Sequence, residues 1–396
     1  MSTVKQWVER SGRCPLSVGI WAEAVGQLDT GIAWPALQMF TTPNEMEITS
    51  RIQDILIRAS NVFVSEKDEA PSGVQFPALR TLNVCFEGHF WDVSHVTDGN
   101  FDFVTAPRFL EEIPVNAPHL ESLTWRGFNC TQVLSNLLHP PSNLLPQAVT
   151  LTNIEIEATI SPLECFDILA SFPHLRYCVL EGIRKTADVQ LSFHHSSLDV
   201  FYLAHLTLIG DFNPLFILNK LTAPSLCVLT IAAVNGSNIQ SSSTLSSFLL
   251  QSTPPLRELR ITNIHLPEEE CQKCFRSIPT MEILDIYHEH RNRNGPKVNG
   301  ILDALLMRQP PFNSTAPFVC PKLRSLVIRG DVVAPDGVLA EFVEGRLGET
   351  GIDFCLEKVH VEFNEEGHNI DKEKVKELTR KAERLEKKLV MRVFHR

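Results

Sequence analysis

The stretch FPALRTLNV at 76–84 decides the fold, because its phrase, X-Pro-x-Leu-x-x-Leu-x-apolar, keeps returning. It stands again as APHLESLTW at 117–125, FPHLRYCVL at 172–180 and APSLCVLTI at 223–231. TPPLRELRI at 253–261, IPTMEILDI at 278–286 and CPKLRSLVI at 320–328 complete the series, with Cys178 and Met281 in place of Leu. Successive phrase prolines lie 41, 55, 51, 30, 25 and 42 residues apart. LPQAVTLTNIEI, around Pro146, and LAHLTL, after Phe201, divide the two longest intervals. The underlying period is then about 23–30 residues, within the leucine-rich-repeat range.

Each phrase has a physical logic. Its second Leu and the apolar residue two places on share one face of a strand, because side chains alternate along extended backbone. Proline lacks an N–H donor and suits a strand entrance, not its middle. Between phrases the apolar spacing turns to i, i+3, i+4, over 131–139, 162–172, 214–221, 244–251, 267–277, 298–308 and 336–346. Strand then helix, repeated at this period, predicts an α/β leucine-rich-repeat-like solenoid, with a parallel sheet on the concave face and helices on the convex face. A doubly wound α/β domain also alternates strand and helix, but the Pro-x-Leu phrase would not recur in it. The usual Asn or Cys of the consensus is missing, since Glu87, Phe128, Ile183, Val234, Ile264, Glu289 and Asp331 occupy those sites. Irregular loops are therefore expected.

The two ends differ from the middle. Residues 1–65 show apolar alternation in PLSVGIW at 15–21 and IQDILIR at 52–58 without a full phrase, which suggests atypical N-terminal repeats or a cap. Residues 66–370 hold the degenerate repeats. Residues 371–396 carry ten basic and five acidic side chains, with Val375, Leu378, Ala382, Leu385 and Leu389 at helical spacing. That pattern predicts a basic amphipathic helix over 371–396 that caps the last repeat.

Composition narrows the function. The 396 residues carry a net charge of −11, which argues against general nucleic-acid binding. No apolar run approaches the ~18 residues of a membrane span, and no secretory signal opens the chain. An intracellular, cytoplasmic or nuclear protein is expected. No phosphate loop, dinucleotide fingerprint, nucleophile elbow or zincin helix occurs. Cys271 and Cys274, spaced Cys-x2-Cys, with His288 and His290 beyond them, are the sharpest chemical lure. The His spacing is too short for the usual zinc finger and a strand phrase separates the pairs. A metal- or thiol-dependent enzyme built on these four residues is the alternative reading, while the leading one is non-catalytic and needs no cofactor.

The best candidate surface is the outward side of the strands. Arg80, Asn83, Glu121, Thr124, Arg176, Arg257, Arg260, Asp285 and Arg324 occupy the x positions of the phrases and are candidate protein-binding residues. The row mixes charges and holds few aromatic anchors.

WVERSGRCPLSVGIW at 7–21, CFDILASFPHLRYCVL at 165–180, and FVCPKLRSLVIRG with DGVLAEFVEGRL within 318–347 resemble one group. It is the large fungal (basidiomycete-type) family of F-box proteins with degenerate leucine-rich repeats. The resemblance covers essentially the whole chain and implies a repeat region that recruits target proteins to an SCF-type ubiquitin ligase. In that family the Trp…Arg-Ser…Pro-Leu segment follows an N-terminal F-box. No Leu-Pro-x-Glu F-box helix stands in 1–60, so direct binding to a Skp-type adaptor is not expected.

Overall fold

The computed structural model describes residues 10–23, 46–60, 74–86, 108–127, 131–138, 150–184, 197–211, 213–234, 244–288, 300–306, 319–332, 334–347, 356–363, 369–384 and 389–395. The chain forms two compact units, 1–184 and 185–396. His194, His195 and His290 lie outside the described residues.

The first unit is a parallel sheet whose strands follow chain order: β1 (Leu16–Glu23), β2 (Ile52–Ser60), β3 (Thr81–Phe86), β4 (Ser122–Arg126), β5 (Asn153–Ile160) and β6 (Tyr177–Ile183). Its helices are α1 (Met46–Thr49), α2 (Arg108–Glu112), α3 (Thr131–Leu138) and α4 (Pro162–Ser171). The second unit continues the pattern with β8 (His205–Gly210), β10 (Val228–Ala233), β11 (Glu258–Thr262), β12 (Ile283–Tyr287), β13 (Ser325–Val332), β14 (Lys358–Phe363) and β15 (Val390–His395), again parallel and in order. A separate two-stranded pair joins β7 (Leu198–Asp199) to β9 (Leu221–Thr222). The unit's helices are α5 (Leu215–Leu218), α6 (Thr244–Ser252), α7 (Glu268–Ser277), α8 (Ile301–Leu306), α9 (Val338–Leu347) and α10 (Asn369–Arg384). From α6 onward each helix packs on the next.

The phrase is a turn followed by a strand. The N–H of its first Leu donates to the carbonyl three residues earlier, as in Leu79 to Phe76, Leu120 to Ala117, Leu175 to Phe172 and Leu323 to Cys320. Proline therefore sits at the second position of a β-turn, where its fixed φ is pre-set, and not at the strand entrance itself. Phe201 takes that corner in VFYL at 200–203, where Leu203 donates to Val200 in the same way, and its ring is exposed. The residue after each first Leu then links repeats. The Arg80 carbonyl accepts both Glu121 N–H and Ser122 N–H, at 2.8 and 2.9 Å. Glu121, Thr152, Ala204, Cys227, Arg257, Glu282 and Arg324 each accept two successive N–H groups from the next repeat in the same manner.

Register stacks the apolar positions. Leu206, Leu229, Leu259, Leu284, Leu326 and Val359 are cross-strand partners and all but buried. Leu82, Leu123, Ile154 and Cys178 do the same in the first unit. Truncating one such Leu to Ala costs about 2–5 kcal/mol. The seven helices expected from the periodicity are all present, and the two phrase-poor divisions become β5 and β8.

The C-terminus differs from expectation. The helix runs to Arg384, with Val375, Leu378 and Ala382 buried as the spacing required. Val390–His395, expected to be helix, is instead β15, in register with β14 from Lys358↔Val390 onward. Val390 and Val393 are three residues apart, a helical spacing, but β14 offers a parallel edge to pair with, and tertiary context overrides local propensity.

Helix starts are tied in two ways. In α4, Ser161 and Glu164 form a local capping box. At α6 and α9 a buried carboxylate from the following helix does the work. Glu270 on α7 accepts from Ser246 N–H and Ser246 Oγ at the start of α6, both at 2.8 Å. Asp371 on α10 accepts from Ala340 N–H at the start of α9, at 2.8 Å, and Asp336 accepts from Ile370 and Asp371 N–H in return. Removing either cap leaves a first-turn N–H without its partner. Glu270→Ala and Asp371→Ala are each expected to cost about 2 kcal/mol, whereas Glu269→Ala, at an exposed position of α7, stays within about 0.5 kcal/mol. Chemical denaturation monitored by circular dichroism checks this through the transition midpoints.

Candidate functional site on the open sheet face

Alternation along the strands divides every repeat into two sides. One side is the buried core. The other stays partly exposed and forms an open face in each unit, as in the burial of β4, β5, β11 and β12.

In the first unit the expected residues fall in two rows. Arg80, Glu121 and Arg176 stand just before their strands and are exposed, with Arg80 Nη1 2.9 Å from Glu121 Oε1. Asn83 and Thr124 are cross-strand partners one step into the sheet. In the second unit Arg257 and Arg324 stand before β11 and β13, paired with Glu282 at 3.9 Å and Glu357 at 2.5 Å. Arg260 and Asp285 are register partners. Arg260 turns to Glu258 at 2.5 Å, and Asp285 receives Arg329 at 3.3 Å. Exposed pairs of this sort contribute between nothing and about 1 kcal/mol, so they pattern the surface more than they hold it.

The most charged part of the first unit lies further along the strands. Arg126 on β4, Glu157 on β5 and Glu181 on β6 are the fifth residues of their strands and cross-strand neighbours in one row. Glu155 lies one step back on β5. Arg126 is hydrogen-bonded to Glu155 and stands 3.8 Å from Glu157. Glu181 has no ion pair among the described residues. Burial pushes the Glu157 carboxyl above the ordinary range, with Arg126 opposing and Glu155 adding to the shift. Burial does the same to Glu181, and the facing Glu157 reinforces it. Burial, then Glu155, raises the Tyr177 phenol. Ser122, Thr124, Asn153, Glu155 and Tyr177 line a recess of about 350 Å³ beside this row. In the second unit Glu357, Lys358, His360, Val390 and Arg392 line one of about 420 Å³.

The phrase positions did not reach these acids. Glu155 and Glu157 belong to NIEIEATI, a strand with no full phrase before it, and Arg126 and Glu181 lie just past theirs. The signal available was the strand period itself, continued two residues beyond the phrase.

The Cys/His lure resolves differently. Cys271 and Cys274 are fully buried in α7. Burial, reinforced by Glu270, pushes the Cys271 thiol up to about 12 and Cys274 higher still. Such thiols are poor nucleophiles at neutral pH. No group of three or more His, Cys, Asp or Glu side chains able to hold a metal occurs among the described residues, and no helix among them is long and apolar enough to cross a membrane. No family model and no curated protein matches the chain.

Two outcomes are expected. Native protein treated with iodoacetamide at neutral pH is labelled at exposed Cys14, while Cys271 and Cys274 react only in denaturant; rapid native labelling of either would restore a reactive-thiol reading. For Glu157 the folded pKa is raised, so the folded state holds more protons than the unfolded one between the two values, and stability falls as pH rises through that window. Glu157→Gln removes the like-charge contact across the strands and is expected to stabilise the protein at pH 7 by on the order of 0.5 kcal/mol, and to flatten the decline with rising pH. Urea midpoints across pH 4–8 check both.

Proposed function

We propose that this chain is a non-catalytic protein-interaction scaffold, a leucine-rich-repeat-like solenoid resembling the substrate-recognition region of F-box proteins. The observation that carries it is the open parallel-sheet face, lined in register by charged and hydroxyl side chains. Repeat proteins use such extended faces to bind other proteins. The phrases quoted above supply the family resemblance, and with it the idea that the bound protein is presented to a ubiquitin ligase. Burial of the Cys271 and Cys274 thiols weighs against the thiol-enzyme alternative.

The test is a quantitative affinity capture with the full chain as bait, compared with the double variant Arg260→Glu/Arg324→Glu. Both residues are exposed and pair with exposed or half-exposed acids on the sheet surface, so the thermal melt should stay within about 2 °C. A discrete set of proteins lost at least fivefold by the variant is the expected result. Identical capture by both baits would overturn the reading for this face.

A further inference from the structure

We infer that the free edge of β15 takes an extended segment of a partner protein as an added strand, its acidic residues alternating with apolar ones; this rests on the interaction reading above. β15 pairs with β14 on one side, and no strand among the described residues pairs with its other side. Val390 N–H donates to the Glu357 carbonyl. The hydrogen-bonding groups of a strand alternate in direction, so Met391 and Val393 aim their N–H and C=O groups away from β14. A row of such groups is a template for another strand.

Charge complementarity selects the occupant. Most charges around β13 and β14 are matched within the chain. Arg324 pairs with Glu357, Arg329 lies 3.3 Å from Asp285, and His360 Nε2 lies 3.2 Å from Glu362 Oε1. Lys358 and Arg392 are exposed and have no ion pair among the described residues. They stand on one side of the sheet, Lys358 opposite Val390 and Arg392 opposite His360. Both line the recess of about 420 Å³. Glu357 lines it too, but is paired with Arg324. A strand laid along β15 sets its own open-face side chains beside Arg392. Carboxylates there meet the two unmatched cations. The same charges repel the β15 edge of a second copy, so they oppose self-pairing while they attract an acidic strand.

The core side specifies the alternate residues. Leu326, Val359 and Met391 are cross-strand partners in one row, and Ile328, Val361 and Val393 in another. The first two of each row are all but buried, whereas Met391 and Val393 are half-buried. The buried stack thus ends on β15 with its side chains partly uncovered. Apolar side chains on an added strand extend the stack by one step and cover them. The unmatched cations on one side and the uncovered stack on the other call for the same alternation, acidic then apolar.

The experiment uses the full chain and fluorescein-labelled peptides long enough to span β15. In one, Glu alternates with Val; in a second, Lys alternates with Val; in a third, the Glu and Val residues stand in two separate blocks. Fluorescence anisotropy at low salt should show saturable binding of the alternating Glu peptide and about tenfold weaker binding of the other two. N-methylation of every second residue should abolish binding in one phase and spare it in the other, because only alternate amides face β15. Lys358→Glu/Arg392→Glu should weaken the Glu peptide about tenfold and leave the circular dichroism spectrum unchanged. Equal binding of the block peptide, equal binding of both methylated forms, or unchanged binding to the variant would overturn the inference. So would dimerisation of the chain alone in sedimentation velocity with no peptide binding, which would assign the edge to a second copy. If the peptides fail while the Arg260/Arg324 variant still loses captured proteins, this inference falls and the interaction reading stands; if both fail, the reading falls as well.

Discussion

One backbone carbonyl per repeat carries the sheet. In six of the seven phrases it belongs to the residue after the first Leu and accepts two successive N–H groups from the next repeat. This arrangement needs the chain to turn sharply just before it, and the β-turn across X-Pro-x-Leu supplies that turn. Once the turn and the shared carbonyl are set, register is no longer free. The second Leu and the apolar residue after it must land in the buried stack, and the intervening side chains must land on the open face. Core and surface are both consequences of this one constraint.

The same constraint explains what was legible. Seven phrases announced seven strands because the turn requires Pro or an equivalent corner residue, and the intervening helices showed their apolar period. Strand β8 was found through LAHLTL although Phe201 replaces proline, since the buried leucines alone preserve the alternation. What escaped were elements whose signal is not local. β14 has no Pro-x-Leu turn. β15 follows a strongly amphipathic helix whose period runs on through Leu385 and Leu389, and only the edge of β14 distinguishes strand from helix there. The acids of the open face escaped because they lie beyond the phrase, where the period continues without its punctuation.

Helix capping shows a similar division. The Ser161–Glu164 box can be read in four residues. The Glu270 and Asp371 caps cannot, because donor and acceptor are 24 and 31 residues apart. Each carboxylate is buried, a costly placement made tolerable by the amide hydrogens it receives.

Those distant caps give the second unit a direction. The starts of α6 and α9 each depend on a carboxylate supplied by the helix that follows, Glu270 on α7 and Asp371 on α10, so α9 cannot keep its first turn satisfied once α10 has lifted away. Lifting α10 exposes the Ala340 amide, and lifting α7 exposes the Ser246 amide. Loss of α6 leaves the α7 carboxylate without its donors, which is the larger penalty, since an ionised group then remains half-enclosed. Two neighbouring pairs, α6 with α7 and α9 with α10, are therefore each coupled and open together.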